Sequence, residues 1–123
     1  MTNIWSLDKH QNLKHVLLLL QQQLGEQSFV IQPDEAVHNE TVYLTHPQAP
    51  GMRALLYTLG QREDRYGITL EYPEQPPGGV EIQTIENLML ASLVEILAVH
   101  FDVAHIEPLL HGGEPVPSRD SMR

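Results

Sequence analysis

Cysteine is absent from this chain. That removes disulfides, thiolate nucleophiles and cysteine-ligated zinc together, and it agrees with a reducing compartment. Long apolar runs are missing too. The longest, VLLLL at 16–20 and LMLASLVEILAVHF at 88–101, fall short of a bilayer span, and Glu95 interrupts the second. The opening MTNIWSLDKHQNL has no basic segment leading into an apolar core, so it does not read as a secretory signal. Positive charge is scarce: 7 Lys and Arg stand against 16 Asp and Glu, a formal net charge of −9. From Glu26 to Ser118 the imbalance sharpens to 14 acidic against 3 basic residues, or −11. Contact with nucleic-acid phosphates needs the opposite sign. A basic partner, a cationic ligand or plain solubility agrees with it. These absences together predict a soluble cytoplasmic protein with no direct nucleic-acid contact and no membrane role.

What is present is enough for one core. A chain of 123 residues, 41% hydrophobic, is the size of a single domain and is not disordered by composition. One α+β domain is expected over 1–112. The tail 113–123, GEPVPSRDSMR, has the composition of a flexible end.

Residues 8–24 carry a helical pattern, with Leu13, Val16, Leu17, Leu20 and Leu24 on one stripe. Asp8 suits the N-cap with Gln11 as capping-box partner, and Gly25 suits a left-handed end. Leu18 and Leu19 widen the apolar surface beyond that stripe, and Ile4, Trp5 and Leu7 are expected to fold back onto the core. Strand signals follow in SFVIQ, stopped by Pro33, and in ETVYLTH at 40–46, where Val42 and Leu44 alternate with polar neighbours. His46-Pro47 and PQAPG read as a loop. RALLYTL (53–59) and RYGITLEY (65–72) then read as a hairpin joined by Gln61 to Asp64. Its second strand sets Tyr66, Ile68, Leu70 and Tyr72 on one face and Arg65, Gly67, Thr69 and Glu71 on the other. PEQPPGG (73–79) breaks the ladder and reads as a semi-stiff linker.

From Thr84 the period becomes helical. Thr84 suits an N-cap, and Ile85, Leu88, Met89, Leu93, Ile96, Leu97 and His100 trace one broad face, with Leu90, Val94 and Phe101 off it. DVAHIEPLLHGG adds a further turn. The fold class expected is α+β: a three- to four-stranded antiparallel sheet with an N-terminal and a C-terminal helix packed on one face. A helix over 84–101 that is apolar on most of its circumference calls for burial on two sides, the sheet on one and either the first helix or a second subunit of a homodimer on the other.

No catalytic constellation stands out. The seven histidines include His10 and His15, and His100 and His105, each pair five apart. Five residues turn a helix roughly 140° beyond a full circle, so neither pair shares a side. A metal site assembled from His38, His46 and an acid stays open, though no metal or other cofactor is called for. The serines lack an elbow such as G-x-S-x-G. Gly78-Gly79 lacks both the G-x-G-x-x-G pattern and a P-loop lysine.

The site-like feature is the polar face of the sheet, where Arg53, Tyr57, Arg65, Thr69 and Glu71 would gather, with Tyr43 and Thr45 nearby. Such a set is either a structural cross-strand network or a recognition surface anchored by Tyr and Arg. In GQREDRYG (60–67), Glu63 and Asp64 offset Arg62 and Arg65, so the turn is a poor anion trap, and Arg65 is expected to lead into the strand's polar face.

In outline, a small acidic chain with helices flanking an antiparallel sheet resembles many bacterial adaptor proteins and secretion chaperones, a likeness of architecture that no motif carries. Three functions remain open. The first is a non-catalytic protein-interaction module, homodimeric, with a basic partner. The second is a small-molecule-binding protein or enzyme using the sheet face. The third is an acidic inhibitor of a nucleic-acid-binding protein.

Overall fold

The leucine stripe of the N-terminal segment behaves as its spacing predicts. In the computed structural model, which describes residues 4–33, 38–73 and 82–108, helix α1 (Gln11–Leu24) buries Leu13, Val16, Leu17, Leu20 and Leu24. Its cap differs from expectation. Asp8 lies outside the helix, and the N-cap is His10, whose Nδ1 accepts from the Asn12 N–H at 3.2 Å. Gly25 ends the helix at φ 98°, a backbone value costly for a side chain, and donates its N–H to the Gln21 carbonyl. A 3-10 turn (Ile4–Ser6) precedes α1. Ile4 is buried and Leu7 packs on the core, but Trp5 stays exposed.

Five strands follow, β1 (Val30–Gln32), β2 (Thr41–His46), β3 (Ala49–Tyr57), β4 (Tyr66–Glu71) and β5 (Ile82–Leu88), and then helix α2 (Leu90–His100). The strands form one antiparallel sheet in sequence order, one more strand than the largest number expected. PQAPG is not all loop: β2 and β3 join through Pro47 and Gln48 alone, with His46 opposite Ala49. Of the linker read in PEQPPGG, only Pro73 is described; 74–79 lies outside the described residues, as does the expected tail 113–123.

The larger correction concerns 82–88. The helical period from Thr84 belongs to a strand and a helix in succession. Tyr66 pairs with Leu88 and Ile68 with Ile85, so Glu86 and Asn87 together stand opposite Gly67. Asn87 takes φ 60°, the left-handed value common in such a bulge. The extra residue brings Ile85 and Leu88, three apart, to the same core, and three is also a helical spacing. Gln61 in the β3–β4 loop holds the bulge: its Oε1 accepts the Asn87 N–H at 2.9 Å.

One face of the sheet is the core face. Ile31, Val42, Leu44, Ala54, Leu56, Ile68 and Leu70 point from it toward α1 and α2, which are both packed there. Helix α2 contributes Leu93, Val94, Leu97, Ala98 and His100, and Phe101 behind it stacks on Phe29 at 6.2 Å. The chain then turns through Asp102 at φ 58°, with the Val103 N–H bonded to the Ala98 carbonyl and the Asp102 N–H to that of Val99. These are the two bonds of a Schellman ending, built on Asp where Gly is usual. Among the described residues no further helical turn follows. Residues 103–108 run irregularly to α1, where the Glu107 N–H meets the Gln23 carbonyl.

Candidate functional site

Strand alternation sends Tyr43, Arg53, Tyr57, Thr69 and Glu71 to the face opposite the helices. Arg53 and Glu71 are cross-strand partners. The guanidinium gives Glu71 a two-pronged contact, Nε to Oε1 at 3.0 Å and Nη2 to Oε1 at 2.9 Å. It also lies 4.0 Å from the Tyr43 ring centroid, while the Tyr43 hydroxyl donates to Glu71 Oε2 at 2.9 Å. Thr69 Oγ1 pairs with Thr84 Oγ1 at 3.1 Å. Tyr57 crosses Gly67, its register partner, and a Cβ at 67 would run into the ring. Its hydroxyl donates to Glu86 Oε2 at 2.6 Å. Desolvation, followed by the hydrogen bond to Glu86 and that carboxylate's charge, pushes the Tyr57 hydroxyl up to about 12. Each of these polar groups therefore already has a partner within the sheet.

Arg65 is not among them. It precedes β4, donates Nη1 to the Asp64 carbonyl at 3.2 Å, and lines a polar cleft of about 440 Å³ beside Arg62, Asp64, Glu40, His15 and Asn12. Of the five residues expected to gather on the polar face, the structure brings together Arg53, Tyr57, Thr69 and Glu71 and sends Arg65 to the hairpin end. Asp64 at φ 67° bends the chain there.

Three histidines serve their own turns. His10, His38 and His46 each accept a backbone N–H two residues on through Nδ1, at 3.2, 3.1 and 3.0 Å. His46 lies 3.7 Å from Asp102, and His38 is not with it. Among the described residues no group of three or more His, Asp or Glu is placed to hold a metal ion.

His100 is different. It is 3% exposed, and its Nε2 lies 2.7 Å from the Arg53 carbonyl. A carbonyl only accepts, so the ring carries its proton on Nε2, and the buried Nδ1 has no hydrogen-bond partner among the described residues. Burial lowers its pKa; the Arg53 and Glu71 carbonyls and Asp102 pull upward and His46 downward.

The feature that sequence reasoning missed lies beside His100. A groove of about 510 Å³ runs between α2 and the inner side of the β4–β5 flank, lined by Met52, Leu70, Tyr72, Ile85, Ile96 and Val99. It is mostly apolar, and Glu95 is its carboxylate. Val99 on its lining is 80% exposed. On the same flank Met89, between β5 and α2, is also exposed, and so is Ile82, which pairs with Glu71 and faces the outer side of the sheet. Its signal was present in the all-round apolarity of 84–101, but reading β5 as helix hid the strand that forms one wall. Among the described residues no helix is long and apolar enough to cross a membrane. No family model, curated protein or solved structure matches the chain.

Proposed function

We propose that this protein is a non-catalytic protein-interaction module that engages its partner through the flank formed by α2 and β5. The carrying observation is the mostly apolar groove between them, with the exposed Val99 on its lining. An apolar groove left open beside so exposed a side chain marks a contact surface more often than an idle one. The partnered state of Arg53, Tyr57, Thr69 and Glu71 supports a structural role for the outer face of the sheet. The net charge of −9 favours encounter with basic partners.

A homodimer through the same flank is the second reading, favoured by Val99, whose exposure a second copy would remove. Affinity capture with wild-type and Val99→Glu baits, paired with sedimentation velocity of both, tests the flank. Loss of a captured partner or of a dimer on substitution supports it. A partner and an oligomeric state that both ignore Val99→Glu overturn it.

A further inference from the structure

Resting on that reading of the flank, we propose a specific occupant: a basic, alternately apolar segment of another protein, bound in extended form as a sixth strand along β5. Three observations converge. First, β5 is the last strand of the sheet and, unlike β1, a long one, 7 residues against 3. Natural edges are blunted by brevity, proline or lysine. β1 is short and runs into Pro33, whereas β5 carries neither proline nor lysine. Its bulge at Asn87 disturbs one end and leaves Ile82–Ile85 in regular register with β4. Among the described residues nothing pairs with the outer edge of Ile82, Gln83, Thr84 or Ile85.

Second, the groove runs beside this edge on the helix side, and Gln83 and Ile85 belong to its wall. A strand added to β5 alternates its side chains between the two faces of the sheet. Every second side chain would enter the groove against Ile96 and Val99. The others would lie on the outer face beside Ile82 and Thr84.

Third, among the described residues the charged side chains of β5 and of the groove lining are acidic. Glu95 lines the groove, and Glu86 lies on β5 itself. The described cations sit elsewhere. Lys9 and Lys14 bond backbone carbonyls of His38 and Trp5, Arg53 is held by Glu71 on the outer face, and Arg62 and Arg65 are at the hairpin end. A second copy would bring its own Glu86 and Glu95 to the same place, whereas a segment with Lys or Arg between its apolar residues complements them.

The test uses synthetic peptides with β5's length of 7 residues and alternating Val and Lys, titrated into the full chain. Amide chemical shifts and fluorescence anisotropy are the readouts. Controls are a peptide of the same composition with its valines clustered, and an N-methylated peptide unable to donate the ladder bonds. The expected result is binding of the alternating peptide alone, with shift changes at Ile82 to Ile85 and along α2. Glu95→Lys should weaken it by about ten-fold, and Val99→Glu should abolish it. Both sites are exposed, so the fold should tolerate the changes; an unchanged far-ultraviolet spectrum confirms that. Equal binding of all three peptides, or shifts away from β5, overturns the proposal. A wild-type dimer broken by Val99→Glu, with no peptide bound, overturns it while leaving the flank an interaction surface. A monomer that binds no peptide and captures no Val99-dependent partner overturns both.

Discussion

The two flanks of the sheet are finished differently. On one side α1 hides its five apolar stripe residues and turns Gln11, Asn12, His15 and Gln22 to solvent, and the strand at that edge is short and followed by Pro33. On the other side α2 hides Leu93, Val94, Leu97 and Ala98 but leaves Val99 outside, next to a long edge strand with Ile82 exposed. Both helices supply core. The difference lies in what remains once the core is made: at α1 a mostly polar helix surface with Trp5 and Val30 exposed beside it, at α2 an apolar groove with Glu95 on its lining. Stability and association are therefore expected to depend on different residues.

The widest gap between the flanks should appear with Leu17→Ala. Leu17 has no exposure, and its truncation is expected to cost about 2–5 kcal/mol in urea unfolding. Gly67→Ala comes next. The new Cβ would force the Tyr57 ring aside, costing about 1–3 kcal/mol. The double substitution with Tyr57→Ala should lose less than the two single losses added together, as a double-mutant cycle would show. On the outer face, Arg53→Ala removes a partly buried ion pair and its contact with Tyr43, so about 1 kcal/mol is expected by thermal unfolding.

Acid should act through the α2 side. His100 has a lowered pKa in the folded state, so below about 6.5 the unfolded ring takes a proton that the folded ring still refuses. Its contribution is present above that pH and is lost as pH falls toward the depressed folded value. His100→Gln should flatten that part of the stability–pH curve, measured by urea unfolding at several pH values. Val99→Ser should have the smallest effect on stability, within about 0.5 kcal/mol, because little of Val99 is buried. A large loss there would erase the contrast between the flanks.

Much of this contrast could be read from residue order, and the unread part has a common cause. The α1 stripe and the β4 alternation are local periods. Leu13 to Leu24 and Tyr66 to Glu71 state their own geometry, and the structure follows it. Ile85, Leu88 and Met89 also have a local period, but a misleading one. A bulged strand returns two side chains to one face after three residues, much as a helix does, and only pairing with β4 distinguishes them. Arg53, Tyr57, Thr69 and Glu71 were expected to share a face because each follows strand parity. Arg65 left them because Asp64 turns the chain just before β4 begins, and parity holds only inside a strand. The Schellman ending at Asp102 escaped notice because Asp stands where Gly is the usual mark.

By itself, then, the sequence determined an acidic chain of the α+β class without cysteine chemistry, with one helix before and one after an antiparallel sheet. Charge, composition and period are properties of residue order, so they survive without coordinates. Only the tertiary structure decided that a fifth strand closes the sheet, that Arg53 and Glu71 satisfy each other, and that Val99 faces a groove instead of the core. Each of those depends on which segments meet across long separations in the chain. Burial and pairing are settled there, by competition among segments for the same core and the same backbone partners.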